Sequence, residues 1–176
     1  MFGWFRSKKN GAAAARLYGT IIDQARDPVF YRDMGVADSL DGRFDMLSLH
    51  AMLVMRRLKG EAEQTAALSQ ALFDHMFADM DATLREIGVG DLSVGKKVKQ
   101  MGEAFLGRVE AYESALNAED GDLAGALSRN VYRDTVPAPE HLSRLADYTR
   151  RMDAHLAGIP VTALLAGGKE LADCKP

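Results

Sequence analysis

The stretch LREIGVGDLSVGKKVKQMGEAFLGRVEAYESAL, residues 84–116, decides the fold. It contains the end of one helical pattern, a loop with glycines at 88 and 90, and the start of a second helical pattern. Apolar residues of the second pattern recur every three or four positions, at Val94, Val98, Met101, Phe105, Val109, Tyr112 and Leu116. Ser93 is the predicted N-cap of that helix, because its hydroxyl can accept a free backbone N–H. The stretch therefore predicts two helices joined by a short loop.

The rest of the chain shows the same helical period and no alternation typical of strands. Further helices are predicted over 12–26, 28–35, 44–60, 61–87, 123–132 and 140–156, with a short last one from Pro160. We expect an all-α fold without a sheet, in one compact multi-helix domain of about six to eight helices. The predicted organisation is a basic and aromatic tail over 1–11, a single helical domain over 12–168 and a carboxyl-terminal tail over 169–176.

Composition excludes several classes of protein. The 176 residues are 47% hydrophobic and 27% charged, which is typical of a globular domain, and the net charge of −3 argues against a general nucleic-acid binder. Cys174 is the single cysteine, so an internal disulfide is excluded. Every apolar run is shorter than a transmembrane helix requires, and no secretory signal is recognisable. The sequence predicts a soluble protein.

The first nine residues combine aromatic and basic side chains. The predicted membrane-contacting residues are Phe2, Trp4, Phe5, Arg6, Lys8 and Lys9. Aromatic rings prefer the headgroup level of a bilayer, and cations meet anionic lipid there. Two other interpretations stay open: a frayed terminus with incidental aromatics, and the remnant of an organelle-import sequence.

The sequence carries no pattern typical of a catalytic or metal site. The histidines are His50, His75, His141 and His155, and none is spaced as a metal-binding pair. Phosphate-binding loops and C-x-x-C pairs are also missing, and the glycines at 88 and 90 join two helices rather than a strand and a helix. We therefore predict no catalytic residues, no metal, no bound cofactor and no enzyme activity.

His50 lies within the apolar run MLSLHAMLVM and permits two interpretations. The first is a neutral buried imidazole that hydrogen-bonds its neighbours. The second is a ligand for haem or another metal. The nine methionines likewise suit either flexible core filling or a surface for variable apolar partners.

Several motifs in a fixed order resemble the ubiquinol–cytochrome c chaperone family. They are DP-FY, DGRFD and LH--L before RRL in the first half, then LRE-GVGD and V-K-VK-M---F-GR--AYE-AL. The resemblance covers roughly residues 17–116, with weaker similarity beyond.

The resemblance implies a non-enzymatic assembly factor for the cytochrome bc1 complex, respiratory complex III, that receives newly made cytochrome b at a membrane. Family members in eukaryotes act with a small partner protein near the ribosome, so both are candidate partners, and DNA is not. Little sequence precedes the matching region, so we expect a bacterial member in the cytoplasm or peripherally at the inner face of the membrane; for a eukaryotic member the expected location is the mitochondrial matrix. The alternative function is a helical carrier of haem or quinone.

The predicted partner surface combines charged and aromatic residues around the loop at 88–90. Its members are Arg43, Asp45, Arg85, Asp91, Lys96, Lys99, Arg108 and Tyr112. Lysines at the amino-terminal end of a helix oppose its dipole, which suggests either a use for positive charge or pairing with Glu86 or Asp91. We expect Arg108 to face outward, because it lies off the apolar stripe.

Overall fold

The computed structural model describes the backbone of residues 2–118, 121–133 and 135–176, and side chains from residue 10 onward within those ranges. This part contains eight α-helices: α1 Phe2–Ala25, α2 Pro28–Asp33, α3 Leu40–Lys59, α4 Ala62–Glu86, α5 Asp91–Asn117, α6 Leu123–Leu127, α7 Pro139–Gly158 and α8 Val161–Ala166. A π-helical turn, Ser128–Tyr132, follows α6, and a 3₁₀ turn, Lys169–Asp173, follows α8. No strand occurs in these ranges, so the predicted all-α class is confirmed.

Side-chain caps fix the starts of α2 and α3. The Asp27 carboxylate accepts the Val29 N–H at 3.0 Å, and Pro28 occupies the first helical position, where its missing N–H costs nothing. Ser39 Oγ accepts the Gly42 N–H at 3.1 Å. A side chain at Gly42 would collide with the Ala37 carbonyl oxygen. Asp27 with Pro28, and Ser39 with Gly42, therefore determine where these two helices begin.

Helix α3 is the centre of the molecule. It packs against α1, α4, α5 and α7. Its middle turns are buried on all sides, with Met46, Leu49, Ala51 and Leu53 fully covered. A helix that is apolar around its whole circumference requires such an environment, which explains the run MLSLHAMLVM.

The carboxyl-terminal elements close the bundle against α1 and α7. Thr20 Oγ1 donates to the Gly167 carbonyl at 2.7 Å, and Gly167 and Gly168 both have positive φ, at 124° and 63°. Leu171 and Cys174 are buried, although they belong to the segment 169–176 that the sequence analysis predicts to be a tail. Burial raises the pKa of the Cys174 thiol.

Most predicted helices occur within a few residues of their predicted bounds, with two differences. Helix α1 begins at Phe2 rather than near residue 12. The prediction of Ser93 as N-cap is wrong, because α5 begins at Asp91 with Gly90 as its cap. Ser93 instead donates its backbone N–H to the Gly90 carbonyl within the first turn.

Candidate partner-binding surface

The loop between α4 and α5 ends α4 with a Schellman motif. The Val89 N–H donates to the Leu84 carbonyl at 2.9 Å, and the Gly88 N–H donates to the Arg85 carbonyl at 3.0 Å. Gly88 has φ 87°, a conformation that glycine adopts without steric cost. The sequence REIGVG therefore turns the chain sharply enough for α5 to return along α4.

A charged bridge fixes this turn. Arg85 donates to Asp81 one turn earlier at 2.6 Å and to Asp91 at the start of α5. Asp91 thus bonds to Arg85, and pairing of Asp91 with the α5 lysines is not observed. Lys96 forms no ion pair within the described ranges, and Lys99 only approaches Glu103 at 3.9 Å. The amino-terminal turns of α5 therefore present exposed positive charge.

Helix α5 is covered at few positions. Only Val94, Phe105, Arg108 and Tyr112 are buried among its 27 residues. Leu92 is fully exposed and Leu106 is 59% exposed, while Ile87 in the preceding loop is 58% exposed. Large apolar side chains are thus left open along and beside this helix.

An apolar groove lies where α4 and α5 separate over α3. Its lining comes from α3, α4 and α5, and Phe105 of α5 has its ring centroid 5.9 Å from that of Phe73 of α4. We name as the hairpin groove the cavity of about 540 Å³ lined by Met52, Met55, Phe73, Phe105 and Leu106, with polar neighbours at its rim.

A buried ion-pair cluster attaches α5 to α3. Asp45 is fully buried and accepts from Arg108 Nη2 at 2.6 Å. Arg133 donates to the two Asp45 oxygens from Nε at 2.7 Å and from Nη2 at 2.8 Å. Burial raises the pKa of the Asp45 carboxyl, while the hydrogen bond from Arg133 and the two guanidinium charges oppose that rise.

Two predicted partner residues on α5 therefore lie inside the protein. The expectation that Arg108 faces outward is wrong: it is 7% exposed, because the Asp45 carboxylate draws its guanidinium inward. Tyr112 is fully buried, and burial raises the pKa of its hydroxyl. Within the described ranges, Ser48 Oγ, Arg108 Nε and Tyr112 Oη have no hydrogen-bond partner.

The remaining predicted partner residues separate into different places. Arg85, Asp91, Lys96 and Lys99 lie together at the α4–α5 end, all exposed. Arg43 is exposed at the start of α3, where its Nε donates to Asp38 at 2.7 Å. The structure thus divides the predicted surface into an exposed charged end and a buried cluster that holds α5. The predicted membrane-contacting residues Phe2, Trp4, Phe5, Arg6, Lys8 and Lys9 have side chains outside the described residues.

His50 has the geometry of a structural histidine. Its Nδ1 lies 2.8 Å from the Met46 carbonyl oxygen and its Nε2 lies 2.7 Å from Tyr148 Oη. Because a carbonyl only accepts, Nδ1 carries the proton and Nε2 accepts from the Tyr148 hydroxyl. Burial lowers the pKa of His50 to about 4, so the ring is neutral at pH 7. A metal ligand role would require breaking one of these bonds.

Three arginines outside the predicted set organise the neighbouring structure. Arg133 supplies half of the Asp45 cluster from a backbone with φ 51°. Arg57 donates to the carbonyls of Leu156 and Ile159 at 3.0 and 2.9 Å, and Arg56 pairs with Asp153 on α7. The RRL motif pointed to Arg56 and Arg57, whereas nothing local in the sequence marks Arg133.

Neither a spanning helix nor a metal cluster is found in the described part of the chain. None of its helices has the length and apolarity needed to cross a bilayer. No group of three or more histidine, cysteine, aspartate or glutamate residues there could hold a metal ion.

An all-helical domain with an open apolar groove and, elsewhere on the same helix α5, an exposed cationic end has the features of a protein-interaction domain. Residues 32–171 match the family described as ubiquinol-cytochrome C chaperone. The chain belongs to this family of complex III assembly chaperones, and the resemblance seen in the sequence is confirmed.

Relatives and a solved structure agree with this assignment. The chain is 23% identical over 157 residues to ubiquinol-cytochrome-c reductase complex assembly factor 1 of Xenopus laevis, covering 89% of the chain and 78% of the relative. The human protein of the same description is 24% identical over 89% of the chain, which spans only 52% of that relative. The crystal structure of the Cbp3 homolog from Brucella abortus is 40% identical, with a TM-score of 0.81 over 94% of this chain and 92% of that one.

Proposed function

We propose that this protein is a non-enzymatic chaperone that binds newly made cytochrome b and promotes assembly of the cytochrome bc1 complex. Family membership over residues 32–171 is the observation that carries the assembly role. Cytochrome b as the client is the finer part of the proposal. It rests on the resemblance and on a surface that suits an apolar, helical protein.

The hairpin groove is the proposed seat for a client helix. An amphipathic or apolar helix binds by laying side chains from successive turns into a groove between helices. Met52 and Met55 line this groove, and methionine adapts to differently shaped apolar partners. Leu106, 59% exposed on α5, is available for contact without any rearrangement.

The exposed lysines at the start of α5 are proposed to select and orient the client. Lys96 and Lys99 are exposed in the first three turns of α5, and their positive charge attracts acidic groups of a partner. Exposed charges of this kind raise the rate at which a partner associates and the specificity of binding, and reversing their sign repels the same partner.

The buried members of the predicted surface are proposed to hold α5 in place, without contacting the client themselves. Asp45 and Arg108 anchor α5 on α3 at 2.6 Å, and Tyr112 is covered beside them. Their loss would therefore displace the surface that the client meets. The first nine residues remain our proposed contact with the membrane, peripheral to its inner face, and a ribosome or small partner protein remains a proposed further contact.

The test is capture of cytochrome b by tagged protein in cells that make the complex. The double charge reversal Lys96→Glu with Lys99→Glu is expected to reduce co-purified cytochrome b at least about tenfold, with an unchanged melting temperature. The control Lys169→Glu with Lys175→Glu changes the charge equally at exposed positions elsewhere and should leave capture intact. Normal capture by the folded α5 double variant would refute the cationic part of the proposal.

The groove is tested separately by Leu106→Asp. A carboxylate placed there must be desolvated by an apolar client helix, which costs several-fold or more in affinity. Val136→Asp, at a side chain that is 93% exposed and outside the groove, is the matched control. Equal capture by both variants would show that the groove is not the seat of the client.

A further inference from the structure

A second cavity lies on another face, between α1, α3 and the end of α4. We name it the α1–α3 slot; its volume is about 330 Å³, its apolar walls include Ile22, Phe44, Leu47, Met80 and Ile87, and the polar Thr83 also lines it. Phe44, Leu47 and Met80 are 5–7% exposed, so their covered side chains form the depth of the slot. Leu40 and Ile87, at 43% and 58% exposed, stand at its entrance.

The slot opens beside arginines. Arg26, Arg43 and the carboxylate of Asp38 line it, and all three also line a neighbouring pocket of about 440 Å³ that is further lined by Arg32 and Tyr31. Arg43 is paired with Asp38 at 2.7 Å, and Arg32 with Asp33 at 3.0 Å. Within the described ranges Arg26 forms no ion pair, so one guanidinium at the mouth is left for an external anion.

We propose that the α1–α3 slot binds a single-chain anionic amphiphile, a long-chain carboxylate. Its hydrocarbon chain lies along Phe44, Leu47 and Met80, and its carboxylate receives hydrogen bonds from Arg26. A planar guanidinium donates two parallel bonds to a carboxylate, which gives both strength and orientation.

Size and charge together favour this ligand class. A volume of about 330 Å³ is at the low end of ligand pockets, which suits one narrow molecule. An apolar interior with a cation at one end matches a molecule that is apolar along its length and anionic at one end. An extended peptide segment would need backbone hydrogen-bond partners along the slot, and its walls are mainly apolar side chains.

The experiment is calorimetric titration of the purified full chain with dodecanoate below its micellar concentration. Dodecyltrimethylammonium, with the same chain and opposite charge, is the matched ligand control. We expect saturable binding of dodecanoate at one site, at least about tenfold tighter than that of the cation. Equal binding of the two, or no binding of dodecanoate, would overturn the proposal and favour a protein segment as occupant.

Variants locate the site. Arg26→Gln should weaken dodecanoate binding about tenfold, Arg26→Lys less, and Thr83→Trp should abolish binding by filling the slot. Arg129→Gln, an exposed arginine that lines neither cavity, should leave binding unchanged. Helicity and melting temperature show whether each variant folds. Full binding by folded Arg26→Gln and Thr83→Trp proteins would place the amphiphile elsewhere and refute the slot, whatever the outcome of the cytochrome b experiments.

Discussion

Helices α3 and α5 are both long, but the protein covers them very differently. Thirteen of the 20 residues of α3 are buried, against four of the 27 residues of α5. Helix α3 is held by four other helices, whereas α5 rests mainly on α4, α3 and α6 along one side. The difference separates two roles: α3 forms the centre of the bundle, and α5 carries the exposed surface that we propose for contact with a partner.

The largest effect is expected where the two helices are joined, at Asp45. Asp45→Ala leaves the Arg108 guanidinium buried without a counterion, which should cost about 3–5 kcal/mol of the free energy of unfolding. Urea denaturation at pH 7 measures it. Asp91→Ala removes the exposed partner of Arg85 and should cost less than about 1 kcal/mol. Similar losses for both variants would contradict the assigned role of the buried cluster.

Apolar truncation compares the helices directly. Leu53→Ala in α3 removes a fully buried side chain and should cost about 2–5 kcal/mol. The same change at Leu106 in α5, 59% exposed, should alter stability by no more than about 0.5 kcal/mol. Denaturant midpoints of the two variants check this. A large loss at Leu106 would mean that α5 contributes to the core more than its exposure indicates.

The pH dependence of stability tests the neutral state of His50. Its pKa is lowered to about 4 in the folded protein from 6.5, so the unfolded chain takes up a proton first as the pH falls. The stability that this histidine contributes is therefore complete above pH 6.5 and is lost progressively down to about pH 4. The loss is a little over 1 kcal/mol per pH unit within that window.

The comparison variant for that window is His50→Gln, which should flatten the stability profile between pH 6.5 and 4. His75→Gln, at an exposed position beside Tyr18, should retain the wild-type slope. A wild-type slope in His50→Gln would show that another group causes the acid sensitivity.

The smallest effect concerns the starts of the same two helices. Ser39→Ala removes the side-chain cap of α3 and should cost about 1 kcal/mol. Ser93→Ala should change little, because Ser93 lies inside α5 and does not cap it. Thermal unfolding of the two variants measures the difference. If Ser93→Ala destabilises the protein as much as Ser39→Ala does, Ser93 caps α5 in solution.

The sequence predicts the helices well because their signals are local. Glycine at 88 and 90, Asp27 before Pro28 and the apolar period of α3 each act within a few residues. The sequence left two interpretations of His50, a neutral buried imidazole or a metal ligand. Its hydrogen bonds support the neutral buried imidazole. Its partner Tyr148 lies 98 residues away, so no local pattern could decide between the two.

The errors at the candidate site have the same origin. Arg108 lies three residues after the buried Phe105 and four before the buried Tyr112, at the edge of the apolar stripe, and the position of Asp45, 63 residues earlier, explains why a guanidinium is buried there. Arg133 adopts φ 51°, a conformation rare for arginine, and its pairing with Asp45 spans 88 residues. Periodicity identifies the side of a helix that is apolar, but a charge can be buried wherever a distant counter-charge meets it.

The Asp45 cluster also limits how this chain can change over evolutionary time. One carboxylate serves two arginines from separate segments, so replacing Asp45 first leaves the Arg108 charge buried without a counterion, whereas Asp45 keeps Arg133 if Arg108 is replaced first. A lineage that loses the cluster is therefore expected to replace Arg108 before Asp45. Asp45 should persist wherever Arg108 does, while the exposed lysines of α5 lie outside the cluster and are not constrained by it.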